Sequence, residues 1–209
     1  MSEFTQPGGW IKICGMTGSD AVQAALDAGV DAIGFVFAAS VRQVTPARAA
    51  ELARAARERV ACIAVTRHPS QALVDEIVRD FRPDVLQTDF ADFATLDLPR
   101  TLSRLPVLRA AADATVCGTL PARLLFEGPH SGTGAVGDWD GAAAIAHTTR
   151  LILAGGLTAD NVGAAISRVR PYGVDTSSGV ESSPGVKSAA RIAGFVASAR
   201  AAFSRIPHP

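Results

Sequence analysis

A single α/β domain, a closed (β/α)8 TIM barrel, is what the 209-residue sequence predicts, and three observations predict it. Eight short apolar or β-branched runs recur along the chain, segments with helical spacing lie between them, and no Pro/Ser-rich linker or charge run divides the whole. Strands that alternate with helices imply a parallel sheet, because every parallel connection needs a crossover. Eight repeats suggest closure. Barrels of this kind take about 250 residues and can be as small as about 200, so this chain is a compact example with little room for insertions. A doubly wound open sheet is the alternative, and against it the first strand-to-helix junction, CGMTGSDA, lacks the GxGxxG spacing of a dinucleotide fold.

The elements follow in order. Residues 1–9, MSEFTQPGG, read as a short N-terminal extension, and WIKIC at 10–14 as the first strand, followed by a short helix over 18–28. DAIGFVF at 31–37 is the second strand. TPARAAELARAARER then opens with Thr45 as cap and Pro46 at the first helical position, and groups Ala49, Leu52, Ala53 and Ala56 opposite Arg48, Glu51 and Arg54. VACIAVT at 60–66 is the third strand, and SQALVDEIVRDF at 70–81 puts Leu73, Val74, Ile77, Val78 and Phe81 on one stripe behind a Ser70 cap. DVLQT at 84–88 precedes the weakest helix, 91–98. PVLRA at 106–110 precedes a short helix at 113–119, ARLLFE at 122–127 precedes one at 140–147, and RLILA at 150–154 precedes TADNVGAAISRV, opened by Thr158. GVDTS at 173–177 is the eighth strand, and SAARIAGFVASARAAF closes the pattern.

Composition narrows the function. Twenty basic residues balance twenty acidic ones with no Lys/Arg block, so neither nucleic acid nor an anionic membrane is indicated as partner, and a small molecule is. Cys14, Cys62 and Cys117 are widely spaced without a CxxC pair, which argues against a disulfide framework and a zinc site and fits a reducing cytoplasm. No signal-peptide pattern and no apolar run of about 18 residues occurs.

In such barrels the active site lies at the C-terminal ends of the strands. The polar residues there are Cys14, Arg42, Thr88, Asp89, Arg109, Glu127, Asp175 and Ser177. Strand alternation puts Lys12 beside Cys14 in the barrel interior, and a neighbouring ammonium favours thiolate, the form able to accept a proton. Cys14 can equally be a small buried hydrophobe, the commoner fate of a free cysteine and the one expected of Cys62 and Cys117. LAGGLTADN at 153–161 and DTSSGVESSPG at 175–185 are small-residue turns after strands seven and eight, where these barrels commonly hold a phosphate. FEGPHSGTG at 126–134 places Glu127 before a glycine-rich loop able to close over a ligand, although Glu127 alone also reads as a surface or structural carboxylate. His68, His130 and His147 read as solvated.

Taken together, KICGMT, GFVFAASVRQVTPARA, DVLQTD, LLFEGPHSGTGAVGDW, LILAGGLTADNVGAAI and PYGVDTSSGVESSPGVK give the chain a resemblance to the phosphoribosylanthranilate isomerases of tryptophan biosynthesis, over nearly everything after residue 9. The turns are individually unspecific, and their order is specific. The resemblance implies an Amadori rearrangement of a phosphorylated small-molecule substrate, without metal or organic cofactor, by a monomer or homodimer. It implies Cys14 as general base at C2′ of the ribose and Glu127 as general acid on the furanose oxygen, a departure because the family has aspartate there, with Asp138 in reserve. Arg42 matches the arginine that pairs with the anthranilate carboxylate, Gly155, Gly156, Ser178 and Gly179 match the phosphate loops, and Asp175 matches an aspartate near a ribose hydroxyl. A second departure is Thr88-Asp89, where many members read His-Gly. The acid must hold its proton while the base is ionised, and positions on opposite sides of the barrel mouth allow separate tuning. Other phosphate-binding barrels, a pentose-phosphate epimerase or a ProFAR-type isomerase, are the rival enzymes, and Cys14 with Arg42 argues against them. A non-catalytic phosphosugar-binding barrel is the rival of another class.

Overall fold

The computed structural model describes residues 9–110, 120–128 and 138–206. The expected helix at 113–119 with Cys117, residues 129–137 with His130, and most of the N-terminal extension lie outside the described residues. Gly9, expected within that extension, is part of the fold: it is buried, and its N–H donates to the Tyr172 carbonyl at 2.9 Å.

Eight parallel strands close into a barrel, each hydrogen-bonded to the next in sequence and the eighth to the first. They are β1 (Trp10–Cys14), β2 (Ala32–Val36), β3 (Ala61–Val65), β4 (Val85–Asp89), β5 (Ser103–Leu108), β6 (Arg123–Phe126), β7 (Arg150–Leu153) and β8 (Gly173–Thr176). The fifth strand starts three residues before the expected PVLRA because Ser103 and Arg104 pair with Val85 and Leu86. A period of two divides the strand residues between two apolar clusters. Trp10, Ile63, Val85, Leu105, Val107, Leu125 and Ile152 fill the barrel, while Ile11, Ile13, Phe35, Cys62, Leu86, Phe126 and Leu153 face the helices. Cys62 is therefore a buried core residue, as expected.

Outside the strands run α1 (Ser19–Asp27), α2 (Pro46–Leu52), α3 (Gln71–Glu76), α4 (Trp139–Ala146), α5 (Val162–Val169) and α6 (Ala189–Phe203). Thr45 and Ser70 cap α2 and α3 by accepting from the N–H groups of Arg48 and Leu73. Four helices differ from expectation. The second ends at Leu52 and tightens into a 3-10 turn over Ala53–Ala55, the third widens into a π turn over Ile77–Phe81, and 90–94 makes only a 3-10 turn. The helix after the GG turn starts at Val162, not Thr158, because the Asn161 side chain folds back to accept from the Thr158 N–H at 2.8 Å and donate to the Gly156 carbonyl at 2.9 Å. After β8 a 3-10 turn (Ser178–Val180) leads into a small hairpin, β9 (Glu181–Ser183) and β10 (Val186–Lys187), that the alternation pattern did not announce.

The end of the barrel away from the strand C-termini is latched by two aspartates that precede strands. Asp31 accepts from the Ile11 N–H at 2.8 Å and from Arg200 of α6 at 2.8 Å, and Asp84 accepts from the Cys62 N–H at 2.7 Å. Each satisfies a backbone donor that the barrel ladder leaves over.

Candidate active site

At the opposite end Cys14, Arg42, Glu127, Gly155, Gly156, Asp175 and Ser178 line one pocket of about 370 Å³, together with Gln87 and Arg109. A larger hollow, about 870 Å³, is lined by Phe90, Phe93, Leu102, Pro106 and Pro121 among others, and none of the candidate residues lines it.

Lys12 and Cys14 point inward, as alternation requires. Lys12 is fully buried, and its Nζ donates to Asp175 Oδ1 at 2.9 Å, across the β1–β8 register that sets Lys12 beside Asp175. Burial acts to discharge Lys12, but Asp175 and the Cys14 sulfur outweigh it and hold its pKa above the ordinary lysine value. Asp175 is pushed up by burial, with Lys12 opposing. Lys12 lowers the Cys14 thiol pKa, as expected of a neighbouring ammonium, but the net shift is upward: burial raises it by more than Lys12 and Lys187 lower it, and Asp175 adds to the rise. The cation is present, but a carboxylate already balances it in a dry barrel.

The glycine behind the cysteine has a steric reason. Gly15 sits at φ +81, and a Cβ there would lie 2.6 Å from Arg42 Cδ. On the neighbouring strand, a Cβ at Gly34 would meet Cys14 Sγ at 3.0 Å and Lys12 Cε at 3.1 Å, so the absent side chain makes room for the thiol.

Arg42 is positioned by a loop that folds back on β2, where Gln43 bridges to Val36 and donates to the Phe37 carbonyl at 3.1 Å. Its Nε and Nη2 donate to Glu181 Oε1 and Oε2 at 2.7 and 2.8 Å, a planar fork on a carboxylate. Glu181 also accepts from Lys187 Nζ at 2.7 Å and from the Gly185 N–H at 3.2 Å. Burial pushes the Glu181 carboxyl up, but these bonds outweigh it and hold it at about 2. Neither Glu181 nor Lys187 was singled out from the sequence. The signal was available in GVESSPGVK, where an acid and an amine stand six residues apart across a Pro-Gly turn.

The two small-residue loops meet. Gly155 and Gly156 both take positive φ, and Thr176 Oγ1 donates to the Leu157 carbonyl at 2.7 Å. Ser178 reaches the pocket. Gly179 packs behind it, where a Cβ would lie 2.0 Å from the Leu157 oxygen. Glu127 follows β6, its N–H donating to the Leu108 carbonyl at 2.9 Å, and its carboxylate accepts from Arg109 Nη1 at 3.3 Å. Asp138 is elsewhere: it is exposed and caps α4, accepting from the Gly141 N–H at 2.9 Å.

Among the described residues, His68, Asp89 and Asp92 bring three metal-type ligand atoms within 4.8 Å of one another. Asp89 is already engaged by Arg109, and Asp92 accepts from Thr88 at 2.6 Å, so the cluster is a hydrogen-bond network rather than an open ligand set. His68 and His147 are exposed, as expected.

Residues 11–198 match the family model described as N-(5'phosphoribosyl)anthranilate (PRA) isomerase. The chain belongs to that family. An N-(5'-phosphoribosyl)anthranilate isomerase of Pelobacter propionicus is 37% identical over 194 residues, 89% of this chain and 93% of that one. The protein of the same name from Roseiflexus castenholzii is 40% identical over 221 residues, covering 92% and 98%. Among solved structures, phosphoribosyl anthranilate isomerase from Thermus thermophilus superposes with a TM-score of 0.80 at 28% identity, over 94% of this chain and all of that one. TrpF from Jonesia denitrificans gives 0.75 at 36% identity, over 93% and 98%. The chain is thus an isomerase on a TIM barrel, and among its described residues no helix is long and apolar enough to cross a membrane.

Proposed function

We propose that the chain converts N-(5′-phosphoribosyl)anthranilate to 1-(2-carboxyphenylamino)-1-deoxyribulose 5-phosphate in tryptophan biosynthesis. The observation that carries the reading is that Cys14, Arg42, Glu127, Asp175 and both small-residue loops line one pocket. The loops after β7 and β8 receive the phosphate, Arg42 the anthranilate carboxylate, and Asp175 a ribose hydroxyl.

In this reading Glu127 protonates the furanose oxygen as the C1′–O bond breaks and the nitrogen lone pair closes a C1′=N double bond. The cationic C1′=N group acidifies C2′–H. Cys14 takes that proton and the electron pair forms C1′=C2′; the resulting enol becomes the ketone as Cys14 returns the proton to C1′ and the O2′–H proton passes to the Glu127 carboxylate, which restores both side chains. Lys12 steadies the thiolate once it forms. Every proton moves between the substrate and a side chain, so the chemistry calls for neither metal nor organic cofactor.

The test is the fall in anthranilate fluorescence when purified protein meets freshly generated substrate together with the enzyme that consumes the product, run beside Glu127→Gln. Turnover that drops about a hundredfold or more in the variant supports the isomerase with this acid. Unaffected turnover keeps the isomerase and moves the acid elsewhere.

A further inference from the structure

Arg109 stands out because one guanidinium joins two carboxylates at the barrel mouth. Its Nε and Nη2 meet Asp89 Oδ1 at 2.9 and 2.7 Å, and its Nη1 meets Glu127 Oε2 at 3.3 Å. The three residues stand at the ends of β4, β5 and β6, adjacent strands in which Asp89 is level with Val107 and Val107 with Leu125. Arg109 and Glu127 lie two residues further along and line the pocket. Asp89 stands behind Arg109, where His68 Nε2 at 3.4 Å and Arg67 Nε at 3.9 Å also face it.

We infer that Arg109 is a positioning residue for Glu127 and that Asp89 in turn orients Arg109, an inference that rests on Glu127 being the acid. A glutamate has one more rotatable bond than an aspartate, so at the edge of a pocket its carboxylate is spread over more staggered rotamers. A cation fixed on one side selects among them. The cation must itself be held, and Asp89 does this by engaging two nitrogens of the guanidinium, which sets the plane of the fork and leaves Nη1 directed at Glu127. This is the logic by which an outer layer of hydrogen bonds keeps a reacting group within about 0.5 Å of its working position.

The experiment is a double-mutant cycle. kcat and KM are measured for Asp89→Asn and Arg109→Lys, each with Glu127 and each with Glu127→Asp, whose shorter side chain draws back from Arg109. With Glu127 present, each change is expected to lower kcat about tenfold or more, with KM moving less than about threefold. In the Glu127→Asp background the same changes are expected to cost less than about twofold. Equal losses in both backgrounds, or losses confined to KM, overturn the positioning role. Arg109→Lys keeps the charge but loses the fork, so an Arg109→Lys enzyme with wild-type kcat also overturns it. Thermal melts on all variants separate unfolding from misplacement, since a fall in melting temperature would appear in both backgrounds alike. Glu127→Gln is run alongside: retained activity there overturns the acid assignment itself, whereas its collapse combined with equal losses in the cycle overturns only the positioning.

Discussion

Cys14 is contested by burial on one side and by Lys12 and Lys187 on the other, and burial prevails. The rising limb of kcat/KM against pH, which reports the free enzyme, is therefore expected on the alkaline side of an ordinary thiol. Removing either cation moves it further up, because each lowers the thiol pKa in the intact protein. A limb left in place by Lys187→Met would assign the base to another group. Lys12→Met has a second consequence, since it leaves Asp175 buried without its partner, and a loss of about 3 kcal/mol in a urea melt is expected. Gly34→Ala tests the room made for the thiol: its methyl would press on Sγ, so kcat is expected to fall about tenfold while the fold survives. Asp89 and Glu127, two positions at which the family resemblance implies other residues, are joined through the Arg109 side chain.

The hairpin after β8 is the element that completes the site. It delivers Glu181 to Arg42 and brings Lys187 Nζ within 3.0 Å of the Ser177 carbonyl, and Thr17 ties its turn to the loop after β1 by donating to the Gly185 carbonyl at 3.0 Å. Glu181 has a folded value of about 2 against an ordinary 4.5. A carboxyl depressed on folding contributes stability that is full above its unfolded value and is lost as pH falls through the folded one. The expected window of loss is thus from 4.5 down towards about 2. Glu181→Gln should flatten the stability profile across that window, as followed by circular dichroism, and should also raise KM by releasing Arg42. A profile as steep as wild type would place the acid-sensitive contact elsewhere.

On the scale of the whole molecule, the barrel keeps chemistry and stability at opposite ends. Asp31 holds the Ile11 N–H and Arg200, so it links β1 and the C-terminal helix at the closed end, far from the pocket-lining residues. Asp31→Ala is expected to cost about 1–3 kcal/mol, with kcat near wild type at a temperature where the variant is folded. A variant that melted like wild type but had lost activity would contradict this division of labour.

How much of this the chain declares in advance depends on the range of the interaction involved. Strand alternation and local capping placed all eight strands, set Lys12 and Cys14 inside, and assigned the Thr45 and Ser70 caps, because these follow from neighbours a few residues apart. The motifs of the family resemblance pointed to the candidate residues that now line the pocket. The net direction of the Cys14 shift, the hold of Glu181 on Arg42, and the link from Asp89 through Arg109 to Glu127 were decided only by the tertiary structure. Each depends on groups brought together from 18 to 173 residues apart, the nearest being Arg109 with Glu127 and the furthest Cys14 with Lys187. Periodicity can say which way a side chain faces, but the balance between desolvation and charge depends on what the closed barrel places beside it.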